Sequence, residues 1–361
     1  MTSRMSTIAV IFLLSILPAA CGAGEPPPPE GVGGTETLVV TSDTTLLEDH
    51  QGSVEIQADN VSLDCAGHAI SGPGTRTEGL WGFIGISVNG WTGVTIRNCQ
   101  VSGFDHGILL ISLNGVSERN RVLGNTVSAN RVDGMRLVDS DRNELRGNTA
   151  ASNGEHGFVV SGDFNSVIRN QALDNARDGF AIGEGYRDNT FEANTATGNG
   201  AHGFGIVGTG HMFVRNTARD NGAVGFAVGS GARDITFDAN MATGNEIHGF
   251  QVLESGDNTF VGNVANDSGE VGFAVELGAH GNAFDQNTAR NNGEDGFRIL
   301  SSGNTFETNV AKENGGTGFR ADADSNTFSN NVGCGNAFAD AVDGGSENRW
   351  ENNDFCTSSG F

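Results

Sequence analysis

Asn148-Thr149-Ala150-Ala151-Ser152-Asn153-Gly154-Glu155-His156-Gly157-Phe158 is followed, 22 residues on, by Asn170-Gln171-Ala172-Leu173-Asp174-Asn175-Ala176-Arg177-Asp178-Gly179-Phe180. Each stretch has an Asn, a second Asn five residues later, and a Gly-Phe pair starting nine residues later. The first Asn recurs at Asn98, Asn125, Asn148, Asn170, Asn194, Asn216, Asn240, Asn263, Asn287, Asn309, Asn331 and Asn353, usually with the second Asn, and with Phe, Ile or Met after the Gly. Gly follows nine residues on from Gly107 to Gly318, and only Asn331 breaks that rule before the chain ends. Repeats are 22 to 24 residues long, with one of 27 between Asn98 and Asn125. Periods of this size mean stacked coils. The runs between turn residues are short, such as Gly157-Phe158-Val159-Val160, and they lack the 3.6 spacing of helical repeats. Leu is too scarce for leucine-rich repeats. The fold expected is an all-β solenoid of parallel strands with about 12–13 coils, roughly 60 Å long at ~4.8 Å per coil.

Stacking turns equivalent positions into columns. Phe158, Phe180, Phe204, Phe226, Phe250, Phe273, Phe297 and Phe319 make one column of rings. Phe191, Phe213, Phe237, Phe260, Phe284, Phe306, Phe328 and then Trp350 make another. Rings offset by ~5 Å attract, so both columns are expected in the core. The Asn columns are expected at turns, where Asn tolerates a left-handed backbone and its amide can bond to neighbouring coils. Length differences fall between the Gly-Phe strand and the next turn, the longest loop being Leu110 to Glu118. One edge of the rod therefore carries variable loops, the usual place for binding. Thr37 to Glu48 and residues 354–361 are the expected caps of a domain spanning 37–361.

The chain has 44 acidic and 20 basic residues, a net charge of −24. Nucleic acid is excluded as a partner, since that binding rests on Lys and Arg neutralising phosphates. An acidic polysaccharide needs a bound cation such as Ca2+, or a local Arg patch, to approach. The chain opens with Arg4, an apolar run from Ile8 to Leu17, and then Pro18-Ala19-Ala20-Cys21. Residues 1–20 read as an export signal, too short in its apolar part to span a bilayer. Cys21 is the candidate lipid-bearing residue of a lipoprotein; plain cleavage near Ala20 or Ala23 is the alternative. Residues 21–36, with Pro26 to Pro29, read as a flexible linker. The product is expected to be periplasmic, on the cell surface or secreted, to act as a monomer, and to touch a membrane only through that lipid.

Cys334 and Cys356 each lie three residues after a repeat Asn, in one column of neighbouring coils. An exported protein should oxidise such a pair. Cys65 and Cys99, in corresponding strands of early coils, should pair likewise; a stack of buried thiols is the alternative for both.

Val61-Ser62-Leu63-Asp64-Cys65-Ala66-Gly67-His68 leads to Ile70-Ser71-Gly72 and then to Val94-Thr95-Ile96-Arg97-Asn98-Cys99. This entry, followed by the Gly-Phe repeats, resembles right-handed parallel β-helix proteins of the pectin-lyase-like superfamily, including the NosD-like periplasmic proteins. The resemblance covers roughly 37–361. It implies a right-handed coil, and it leaves activity open, because polysaccharide lyases, hydrolases, uronate epimerases and proteins without known activity share the fold.

One column carries candidate chemistry. The residues before the repeat Gly are His106, Asp133, His156, Asp178, His202, Val224, His248, Val271, Asp295 and Thr317. Asp–His bonds between coils would give a general base of raised pKa, or a divalent-metal site. His156, flanked by Asp133 and Asp178 with His202 next, is the centre of that candidate. The bland alternative is that His and Asp suit turns and that duplication copied them. Tyr186, the one tyrosine, is a candidate proton donor. The signatures of active relatives are missing: the one lysine, Lys312, stands near the C-terminal end, and Asp105-His106 lacks the rest of the epimerase Asp-Pro-His-Asp pattern. Gly203-Phe204-Gly205-Ile206-Val207-Gly208 imitates a dinucleotide fingerprint without opening a helix. The first functional reading is thus a non-catalytic scaffold binding a glycan or a cell-surface protein along its flat face. The second is a polysaccharide-active enzyme of lyase or epimerase type using the His/Asp column. The third, a metal-maturation factor, rests on the NosD-like resemblance alone, and only 5 Met argue against copper delivery.

Overall fold

The computed structural model describes residues 36–74 and 82–359. Residues 1–35, which hold the expected signal, Cys21 and nearly all of the linker, lie outside the described residues. Every described element is a short strand, with no helix. The strands form three parallel sheets of 15, 14 and 14 strands. The chain visits the first, second and third sheet in turn and then climbs to the next coil, so each strand pairs with its equivalents one coil before and after. Three corners separate the sheets.

Alternation along each strand sends one column of side chains per sheet inward. From Phe180 to Ala311, the first sheet supplies a Phe, the second a Phe and the third an Ala, as in Phe180, Phe191 and Ala196, all fully buried. The rings stack at 4.7–4.8 Å from Phe158 to Phe319. The second column stacks at 4.6–5.1 Å from Phe191 to Phe328. The two columns meet edge to face, for example Phe180 on Phe191 at 6.5 Å and 84°. The early coils solve the packing differently. Ile108, Val122 and Val127 fill one coil and Met135, Leu145 and Ala150 the next. Two large rings go with one methyl in the later coils, while aliphatic side chains fill the three inward places in these two early coils, because a close-packed interior fixes the volume per coil.

The corners are tied by buried asparagine amides. Asn194 is representative. Its Oδ1 accepts the backbone N–H of Asn170 at 2.9 Å and the Asn170 amide at 3.1 Å. Its Nδ2 donates to the Val167 carbonyl at 2.8 Å and to Asn216 Oδ1 at 2.9 Å. The ladder runs unbroken from Asn125 to Asn353. The left-handed backbone expected at these asparagines sits one residue earlier, at Gly147, Arg169, Ala193 and Arg215 (φ +64°, +55°, +53° and +53°). The ladder Asn is chosen for its amide, because only a side chain with both a donor and an acceptor satisfies the corner on two sides. Asn98 is therefore not a ladder residue: it takes the left-handed place (φ +56°), and Cys99 stands in the ladder, its N–H donated to Asn125 Oδ1 at 3.0 Å.

Cys99 is disulfide-bonded to Cys65 and Cys334 to Cys356, with Cα separations of 4.8 and 5.2 Å. The expected cap segments are coil themselves: Leu38–Val40 and Thr44–Thr45 open the first two sheets, and Asp354–Phe355 and Ser358–Ser359 close the third and the first. Phe355 packs on Phe319 and Trp350, closing the last coil. The dinucleotide-like stretch is a core strand, Phe204–Ile206.

Replacing Asn194 by Ala strands the N–H of Asn170 and the carbonyl of Val167 in the interior. We expect a loss of about 3 kcal/mol, since each unsatisfied buried group costs about 1–3 kcal/mol. Replacing the partly exposed Thr190 should change stability by less than about 0.5 kcal/mol. Urea unfolding of both variants checks this; equal effects would contradict the ladder's role.

Candidate functional site

The outer face of the first sheet is where the polar column and the variable loops face each other. The His/Asp column flanks it on the third-corner side, and the loops flank it on the first-corner side. Register places Arg136, Val159, Ala181, Gly205, Ala227, Gln251, Ala274 and Arg298 in a row along its middle. From Val159 to Ala227 this floor is small and uncharged. The walls lean over it: a Cβ on Gly205 would lie 3.0 Å from Oδ2 of Asp178, and one on Gly183 would lie 2.9 Å from the Tyr186 ring. Gly183 follows Ala181 on the same face. The face is thus a narrow trough between Asp178 on one side and Tyr186 on the other, its floor nearly closed to solvent, with Val159, Ala181 and Ala227 7%, 6% and 1% exposed.

The column is brought together as the sequence implied, and its first role is structural. Six of its side chains, those of Asp133, His156, Asp178, His202, His248 and Asp295, accept the backbone N–H of their equivalents one coil on. His156 N–H goes to Asp133 Oδ1 at 3.2 Å, Asp178 N–H to His156 Nδ1 at 3.3 Å, and His202 N–H to Asp178 Oδ1 at 2.9 Å. Val224, Val271 and Thr317 donate likewise to His202, His248 and Asp295, at 3.3, 3.3 and 2.6 Å. Side chains also pair in twos: His106 Nδ1 lies 3.3 Å from Asp133 Oδ2, and His156 Nδ1 lies 3.4 Å from Asp178 Oδ2. His156 Nδ1 has two suitors, the N–H and the carboxylate of Asp178. A neutral ring accepts the first, and a protonated ring donates to the second.

The raised basicity expected of the column histidines is not found at His202 or His248. Burial lowers His202, although Asp178 opposes the shift. Burial, with Arg298 adding to it, lowers His248 to about 3. Desolvation of the imidazolium outweighs one neighbouring carboxylate. Asp133 goes the other way: burial alone would raise it, but His106 and Arg136 outweigh burial and hold it at about 2. Arg136 reaches Asp133 Oδ2 at 2.8 Å. Burial first, then the hydrogen bond and charge of Asp139, push the Tyr186 phenol well above its ordinary value. Its O–H donates to Asp139 Oδ1 at 2.6 Å, away from the column, so the role of proton donor to the His156 site does not suit it.

A metal fits poorly. Asp133, Glu155 and His156 have ligand atoms within 4.8 Å of one another. Asp133 is already neutralised by Arg136, and Ca2+ wants six to eight oxygen ligands where this set offers two carboxylates and a nitrogen. The other such group among the described residues, Cys334, Asp340 and Cys356, has its sulfurs in a disulfide.

The longest loop, Leu110 to Glu118, helps to wall a groove of ≈ 630 Å³ at the start of the same face, whose other residues sequence reading did not single out. It lies where Glu55, Ser87 and Leu109 pair across three coils, and the first-corner residues Trp91, Leu113 and Asn114 wall it. Trp91, one of 3 Trp in an otherwise Phe-based repeat, was the signal.

The family follows from the comparisons. A sequence profile described as "right handed beta helix region" matches residues 48–217 and 206–355. The chain belongs to the right-handed β-helix family. No curated protein sequence matches it. Among solved structures it is similar to the A-module of Azotobacter vinelandii mannuronan C-5 epimerase AlgE4, with 14% identity, a TM-score of 0.54, and 86% of this chain and 89% of that one covered. It is similar to the AlgE6 A-module from the same organism at 16% identity and a TM-score of 0.52, covering 91% and 92%. A mutant of the periplasmic alginate epimerase AlgG matches at 12% identity and a TM-score of 0.50, covering 88% and 77%. At such identities the likeness is one of fold.

Buried neutral histidines give this β-helix an acid limit. His211 replaces an Asn in the first-corner ladder: its Nδ1 accepts Asn189 N–H and its Nε2–H donates to the Val207 carbonyl, both at 3.1 Å. Burial lowers it from 6.5 to about 4. Both folded-state values, His211 and His248, lie below that of the unfolded chain, so the unfolded chain takes up protons first as pH falls. The stability they contribute is whole above about pH 6.5 and is lost on descending to about 4 and 3 respectively. His211 alone should account for roughly 3 kcal/mol. Melting temperature against pH should fall through this window, and His211→Asn should flatten part of the fall. An unchanged profile would contradict the assignment.

Proposed function

We propose that this β-helix binds a polysaccharide along the outer face of its first sheet. The observation that carries the reading is the trough itself, a straight row of small residues walled by the polar column and the loops. Extended polymers suit such a surface, because the coils repeat their spacing while the walls vary. The fold's similarity to alginate epimerases agrees with a glycan partner, and the two disulfides agree with an oxidising compartment outside the cytoplasm. The column side chains spend their acceptors on neighbouring coils, which favours binding without turnover.

A second reading, an enzyme of lyase or epimerase type, is favoured by one observation: His156 Nδ1 stands within 3.3 Å of the backbone nitrogen and 3.4 Å of the carboxylate of Asp178 at the edge of the trough.

The test is titration of the purified protein with a panel of neutral and uronic-acid polysaccharides, with and without calcium. Wild type should bind at least one glycan, and Ala181→Trp, which fills the floor, should weaken that binding at least tenfold with the circular dichroism unchanged. Binding indifferent to Ala181→Trp would remove the trough from the account. Turnover, read as unsaturated uronate absorbance or C-5 inversion by NMR, that disappears in His156→Gln would establish the second reading instead.

A further inference from the structure

The groove at the N-terminal end of the trough has a chemistry of its own. Among the described residues its lining includes no Lys, Arg or His, and Glu55 is the one charged residue there. Gln57 Nε2 donates to Glu55 Oε2 at 2.9 Å, which holds that carboxylate in place. The other polar groups are neutral. Asn89 Oδ1 accepts the backbone N–H of Asn114 at 3.1 Å, which leaves the Asn89 amide hydrogens unused. The Ser87 hydroxyl, the Asn114 side chain and the indole N–H of Trp91 have no partner among the described residues. Leu109 and Ile111 supply an apolar floor. The volume is that of a small-ligand site, and apolar walls with a few placed polar groups are what such sites present.

Resting on the reading of the protein as a glycan binder, we propose that this groove holds a neutral oligosaccharide segment, with a sugar face on Trp91 and hydroxyls on Ser87, Asn89 and Asn114. A uronate would bring its carboxylate beside Glu55 with no cation among the described lining residues, since Arg136, one coil beyond Leu109, is paired with Asp133, in a protein of net charge −24. Burying a charge without a counter-charge is strongly unfavourable. Hydroxyls suit the site, because each donates and accepts and so satisfies amides and a hydroxyl alike. A peptide strand suits it less. The strands beneath, Val54–Ile56, Ile84–Asn89 and His106–Ile111, are paired on both sides and offer no free edge for strand addition.

The experiment is calorimetric titration of the full chain with neutral gluco-, xylo- and manno-oligosaccharides and, separately, with oligouronates of equal length. A neutral oligosaccharide should bind. Trp91→Ala should weaken it at least tenfold. Asn114→Ala, on the exposed loop where folding is not at stake, should weaken it severalfold. Oligouronate binding that exceeds neutral binding, or neutral binding that ignores both substitutions, overturns the inference while leaving the protein a glycan binder. No binding of any glycan overturns both.

Discussion

The hydrogen bond from a buried asparagine amide to the backbone of the next coil is the constraint on which the solenoid depends. At each corner the chain turns sharply, and a turn inside a stack exposes N–H and C=O groups that neither sheet pairs. A buried group left so costs as much as several good contacts contribute. An asparagine side chain carries an acceptor and two donors on one short arm. Asn194 uses them on Asn170, Val167 and Asn216 at once. Because each amide also bonds the amide beyond it, the ladder locks neighbouring coils into one register. That register aligns the Phe rings at stacking distance and aligns the outer face as a straight trough.

The same locking explains where variation is allowed. Inward positions obey a volume rule and the second corner obeys the ladder, so differences collect on the outer face of the first sheet and in the loops beside it. The charged floor at Arg136 gives way to Val159, Ala181 and Gly205, and charge returns at Arg298. The polar column follows the ladder's logic with other residues. His156, Asp178 and His202 accept backbone N–H groups as asparagine would, and they also bring titratable atoms to the wall of the trough. A structural device so placed can be recruited for binding without new architecture.

Much of this was legible in the residues. The 22- to 24-residue period, the two Phe columns, the outer loops and both disulfides follow from spacing, because in a stacked fold spacing is geometry. The misreadings have physical causes. Asn98 matched the Asn-to-Gly spacing of nine, yet it belongs to the left-handed position and Cys99 to the ladder, since an early coil is one residue out of phase. The basicity of the column was judged from neighbouring charge, whereas burial, which no sequence displays, decides it at His202 and His248. The groove at Trp91 arises from three strands and a loop brought together across coils of unequal length, so no single repeat contained it.

Hydroxyl-radical footprinting in the presence of a saturating glycan tests the central claim most directly, because reporters stand on every face. Trp91 lies in the groove and Tyr186 walls the trough. Met212 on the second sheet and Met241 on the third are 47% and 45% exposed. The account predicts protection of Trp91 and Tyr186 with both methionines unchanged. Protection of Met212 or Met241, with Trp91 and Tyr186 oxidised as in the free protein, would place the ligand on another face and contradict it.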